Sequence, residues 1–254
     1  MNYTATMVTH FADSETAPRV ALPPTKLSPV AQLALWLLAG SVITFASAAL
    51  LGGVQPATFI VSGVGYAASA GFALWLFRRG FPHPTLGAGN LVTLGRMALI
   101  ISVLAALFGP VHPWLVVAVA SVALALDGFD GWLARRNDRV SRFGETLDME
   151  VDSAFTVILA ASALVAGTIG PVVFLLVLPR YVFLAASWLL PWLAASLPES
   201  MTRKVICVVQ VIALIALQVP GLLGIFSTAL VLAVGAALLW SFGRDVLWLW
   251  RARP

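Results

Sequence analysis

Asp127, Asp130, Asp148 and Asp152 place four carboxylates in two short segments of a chain that is otherwise apolar. The first segment reads Asp127-Gly128-Phe129-Asp130-Gly131-Trp132-Leu133-Ala134-Arg135 and, eight residues on, the second reads Gly144-Glu145-Thr146-Leu147-Asp148-Met149-Glu150-Val151-Asp152. On a helix, Asp127, Asp130, Gly131 and Ala134 (i, i+3, i+4, i+7) share one face, and so do Gly144, Asp148 and Asp152 (i, i+4, i+8). The helical rise puts Asp148 and Asp152 roughly 6 Å apart along the axis. Glu145 and Glu150 point elsewhere. The short connection from Arg136 to Phe143 predicts two antiparallel neighbouring helices whose acidic stripes face each other.

Carboxylates held that close raise one another's pKa and cannot all ionise without a counter-charge. A divalent cation resolves the conflict. Hard oxygen donors suit Mg²⁺, Mn²⁺ or Ca²⁺, and the motif contains no histidine or cysteine to favour zinc. Two ions completed by substrate phosphates could polarise a phosphoryl group and neutralise charge in an in-line displacement. Gly131 and Ala134 are small enough to let a flat nucleotide approach the helix, and the planar fork of Arg135 suits a diphosphate.

The elements that carry these groups must lie in lipid. Hydrophobic residues make up 60% of the chain, charged ones 10%, and the mean hydropathy is +0.96; soluble domains carry about a quarter charged residues. Eight apolar runs are long enough for helical spans: Pro29 to Gly53, Pro56 to Phe77, Leu91 to Gly109, Pro113 to Leu133, Leu147 to Ile169, Pro171 to Ser196, Val205 to Val219 and Leu222 to Phe242. The ten-residue alternation of a membrane barrel is absent. Basic residues cluster at alternate ends of these runs, which predicts that both termini and the acidic segments face the cytoplasm across the cell (inner) membrane. That orientation accounts for the net charge of +4 with no nucleic-acid partner.

Residues 1–28 read as a polar, proline-broken tail, 29–80 as a two-helix hairpin, 81–243 as the catalytic domain and 244–254 as a second cytoplasmic tail. The Gly- and Pro-rich stretch from Arg78 to Asn90 is the divide, and Asn90 is placed to cap the helix that follows. Cys207, the only cysteine, excludes a disulfide framework. His10, His83 and His112 lie far from the carboxylates in sequence. Arg180, inside the sixth run, is predicted either to face a substrate cavity or to snorkel outward.

The pattern D-x-x-D-G-x-x-A-R-x8-G-x3-D-x3-D, matched from Asp127 to Asp152 without departure, resembles the signature of the CDP-alcohol phosphatidyltransferase family, in a phosphatidylglycerophosphate synthase-like form. The resemblance implies an all-α integral-membrane fold with a six-helix core, here preceded by the hairpin, and a homodimer. It implies that Asp127, Asp130, Asp148 and Asp152 bind metal (Mg²⁺ or Mn²⁺, two ions) and that Asp152 is also the general base. Gly131, Ala134, Arg135 and Gly144 would line the CDP site. Arg203 and Lys204, which replace a usual Gly-Lys pair, would meet the acceptor's phosphate, and Asn90, Thr93 and Arg96 would lie at an interface or the nucleotide edge. The implied reaction moves a phosphatidyl group from CDP-diacylglycerol to a polar alcohol, glycerol 3-phosphate first, with release of CMP. Two other readings are an ion-coupled transporter that uses the intramembrane carboxylates and an inactive scaffold of the same fold.

Overall fold

The computed structural model describes residues 27–108, 111–137, 141–195, 197–198 and 200–252, with the backbone alone for 129–137. Among the described residues the chain is all helical. The α-helices are α1 (Pro29–Gly52), α2 (Pro56–Arg78), α3 (Ala88–Ser102), α4 (Pro113–Asn137), α5 (Arg142–Val165), α6 (Leu178–Leu189), α7 (Met201–Ala216) and α8 (Phe226–Arg251).

The ends of these helices follow local chemistry. Ser28 caps α1 by accepting from the Ala31 amide, Ser141 caps α5 by accepting from Gly144, and Ser200 caps α7 by accepting from Arg203. Pro29 and Pro56 stand at first helical positions, where a missing N–H costs nothing. Gly53, at φ 71°, makes the turn between α1 and α2. The helix carrying Asn90 begins earlier than expected. Gly87, at φ 77°, occupies the cap, and Asn90 lies inside the first turn with its amide donating to the Leu86 carbonyl.

Among the described residues, Pro29–Gly52, Pro56–Arg78, Ala88–Leu107 and Phe226–Arg251 are long and apolar enough to cross a membrane, with a shorter apolar stretch at Pro113–Gly128. The sixth apolar run is not one helix. It is divided into a 3₁₀ turn (Pro171–Leu176), α6 and a second 3₁₀ turn (Pro191–Ala194), because Pro171, Pro179 and Pro191 each remove a donor from a continuous ladder. Interrupted backbone in an apolar bundle needs other partners. Gln210 on α7 supplies one by donating to the Leu176 carbonyl at 2.7 Å, and Gln218 donates to the Leu159 and Leu214 carbonyls. The last helix runs beyond Phe242 to Arg251, so the segment expected as a tail is largely helical.

The N-terminal hairpin is seated on α3. Gly40, Thr44, Ala48 and Gly52 form a small-residue stripe on α1, all buried, which lets neighbouring backbones approach closely. Tyr66 lies over Gly40 and donates to the Leu37 carbonyl at 2.6 Å. Thr44 donates to the Ala98 carbonyl of α3 at 3.1 Å, and Gly52 lies against Ala105. Gly65 of α2 leaves room for Leu104 and Ile101. At the other end Phe77, Phe81 and Phe143 meet with ring centroids 5.0 to 5.8 Å apart, joining the hairpin, the linker and α5. Replacing Gly65 with Leu should drive the hairpin off α3 and cost about 1–3 kcal/mol, the usual range for overpacking. Thermal unfolding in detergent checks this, and an unchanged melting temperature would mean that the hairpin is not seated there.

Candidate active site

Helix α4 carries Asp127 and α5 carries Asp148 and Asp152. One carboxylate oxygen from each lies within 4.8 Å of the other two, which is the convergence expected from their spacing. Among the described residues, however, α4 and α5 are not the directly packed pair expected from the short connection: they make little contact with each other, and α3 packs against both. From α3 comes Arg96, with a side chain only 1% exposed. Its Nη1 lies 2.7 Å from Asp127 Oδ1 and 2.7 Å from Asp148 Oδ1, and its Nη2 donates to Asp152 Oδ1. The three aspartate side chains are 31%, 40% and 48% exposed, so the cluster has a closed, cationic floor and an open side.

The donor set fits a hard divalent cation: three anionic oxygens within reach of one another, with no imidazole or thiolate among them. Helix α4 extends through Asp130, Gly131, Ala134 and Arg135 as predicted, while their side chains lie outside the described residues. Gly144 stands in the first turn of α5, where a Cβ would fall on Asn90 Oδ1, so the space above this glycine is taken by a side chain of α3.

Arg180 turns toward α5. Its Nη2 donates to the Met149 carbonyl at 3.2 Å and lies 3.9 Å from Glu150 Oε1. Arg180 is one residue after Pro179, near the start of α6, and contacts the helix that bears Asp148 and Asp152 while its side chain stays 36% exposed. Arg203 is held at the start of α7. Nη1 lies 3.0 Å from Asp245 Oδ2, and Nη2 donates to the Pro198 carbonyl at 2.9 Å. Arg244 reaches Ser200 Oγ at 2.9 Å and Asp245 Oδ1 at 3.4 Å, and Lys204 is exposed beside them. Helix α7, which starts at this basic cluster, packs against both α4 and α5.

A family model for CDP-alcohol phosphatidyltransferase matches residues 86–241, more than half of the chain. The chain belongs to that family. No curated protein matches it. Membership makes the chain an integral-membrane phosphotransferase of phospholipid biosynthesis, in a family that is generally metal-dependent. The match begins at Leu86, so the CDP-alcohol phosphatidyltransferase domain includes α3 through most of α8 and leaves the hairpin outside.

Sequence reasoning missed the central role of Arg96 and the ion pairs of Asp245. The signal available for Arg96 was a cation three residues after Thr93 in an apolar helix, which marks a residue that must find anions inside the bundle. Gly144→Ala should destabilise the protein by pushing on Asn90, while the double variant Gly144→Ala/Asn90→Ala should recover part of the loss. A double-mutant cycle of melting temperatures measures this coupling, and strict additivity would rule out the collision.

Proposed function

We propose that this phosphotransferase moves the phosphatidyl group of CDP-diacylglycerol to a polar alcohol at the cytoplasmic end of the bundle, with glycerol 3-phosphate as the first acceptor and Mg²⁺ or Mn²⁺ as the ion. The convergence of Asp127, Asp148 and Asp152 inside the family domain carries the reading. Asp130 would complete the ligand set, and Gly131, Ala134 and Arg135 would receive the nucleotide beside it. The bound cations supply charge neutralisation at the diphosphate.

Asp152 is the general base in this reading, taking the proton of the acceptor hydroxyl. The hydroxyl oxygen bonds to the phosphorus that bears diacylglycerol, and the bond from that phosphorus to the bridging oxygen breaks. CMP leaves with both electrons of that bond. Gly144 contributes to the site by admitting Asn90, so that α3 and α5 stay close, in addition to any contact with CDP.

An anionic acceptor is favoured by the basic end of α7. Among the described residues, Arg203, Lys204 and Arg244 outnumber Asp245 there, and the helix N-terminus adds its own positive potential. Asp245 and Pro198 hold the Arg203 guanidinium in place while leaving it 33% exposed, and Lys204 lies alongside.

Purified protein in detergent with labelled CDP-diacylglycerol should release CMP only when divalent metal and an acceptor are both supplied, and product mass identifies the alcohol. Asp152→Asn should lower turnover by about 100-fold or more, in line with loss of a general base, without loss of folding. Near wild-type turnover would remove Asp152 from that role. Arg203→Gln should raise the KM for a phosphorylated acceptor about tenfold, the effect of losing roughly 1.4 kcal/mol of binding, and leave the KM for CDP-diacylglycerol unchanged. Equal use of neutral and phosphorylated alcohols by the wild type would sink the anionic-acceptor assignment.

A further inference from the structure

Three carboxylates from two helices converge in an apolar bundle, and the cation that meets all three belongs to the chain itself. We propose that Arg96 is a positioning residue that acts as an internal stand-in for the divalent metal, holding Asp127, Asp148 and Asp152 together before the metal binds and giving up part of that role once it does. The inference rests on the metal-site reading above.

Arg96 is held by contacts besides its ion pairs. Its helix is fixed to the hairpin by Thr44, which donates to the Ala98 carbonyl, and to α5 itself by the close approach of Asn90 to Gly144. The guanidinium therefore reaches the carboxylates from a third helix, at a point both α4 and α5 must come to. Its planar fork can serve several oxygens at once, as a lysine ammonium on a flexible stem cannot do with the same fixed geometry. Among the described residues, one guanidinium faces three carboxylates, so the cluster keeps an excess of anionic oxygen for a cation to meet. The approach for that ion is the exposed side of the aspartates, opposite the buried arginine.

A chain that enters the membrane without metal would otherwise bring bare carboxylates together in apolar surroundings, at a cost that would keep the helices apart. If Arg96 meets that cost in the metal-free protein, the stabilisation by Arg96 and that by metal overlap and cannot add independently.

The experiment measures melting temperature in detergent for wild type, Arg96→Gln, Arg96→Lys and Arg96→Gln/Asp148→Asn. Each is measured with chelator and with saturating Mg²⁺ or Mn²⁺, without substrate. Arg96→Gln should lose far more in chelator than in metal, so that its metal-induced rise is at least twice that of wild type. Arg96→Lys should fall between the two, and the double variant should recover part of the loss in chelator. Should Arg96→Gln fail to yield folded protein, Arg96→Lys carries the same comparison. An equal loss in both conditions would reduce Arg96 to a packing role, and a smaller metal response in the variant would make it a builder of the metal site; either overturns the proposal. A wild type that shows no metal response overturns the metal reading and this inference together. A wild type that responds to metal but releases no CMP fails the transferase reading alone, and the variant comparison still decides the role of Arg96.

Discussion

A guanidinium closed off from solvent within an apolar bundle is costly unless its charge is met by well-placed anions. Arg96 is met by three, from two different helices. The converse holds equally, since those carboxylates could not converge around nothing. This mutual requirement organises the bundle: α4 and α5 must bring their acidic ends to α3, and α3 must be held at a height that presents Arg96 to both.

Much of the remaining structure serves to fix α3. The hairpin lies along it through small residues that permit close backbone approach, with Thr44 and Tyr66 finding carbonyl partners where lipid offers none. Phe77, Phe81 and Phe143 join the hairpin end and the linker to the start of α5. The hairpin lies outside the family domain in sequence but shares a packed interface with it, so it is part of the scaffold that positions the site. On the other side, Gln210 and Gln218 satisfy carbonyls at interruptions and crossings in the bundle. That arrangement allows the proline-broken stretch around α6 to lie beside regular helices and to bring Arg180 onto α5.

The two charged clusters differ in design. At the acidic cluster, among the described residues, the anions outnumber the cation and stay partly exposed, which suits a metal and the phosphates it would carry. At the start of α7 the cations outnumber Asp245, which ties two of them to one carboxylate and limits their freedom. An oriented cation loses less conformational entropy when it meets an anionic group than one free on a long stem. The two clusters thus provide a metal-competent and an anion-competent surface on helices that pack together.

Local chemistry was legible in the chain of residues. The spacing of Asp127, Asp148 and Asp152 placed their side chains on helical faces, and the same motif identified the family, because a period of 3.6 residues turns spacing into direction without knowledge of the fold. The apolar runs were readable from local composition, while the serine caps at 28, 141 and 200 emerged only with the helices they start. Proline at 171, 179 and 191 could have revealed the broken sixth run, but hydropathy alone joins what backbone donors divide. Gly87, at φ 77°, took the capping place assigned to Asn90, whose amide instead donates to the Leu86 carbonyl, a pairing set by how the linker enters α3. What tertiary structure alone decided was who meets whom: Arg96 lies 52 and 56 positions from Asp148 and Asp152 along the chain, Arg203 lies 42 from Asp245, and Asn90 fills the space over Gly144. Direction from a helix axis is a local property, whereas the pairing of buried charges depends on which helices pack together, and that is settled by side-chain fit over the whole bundle.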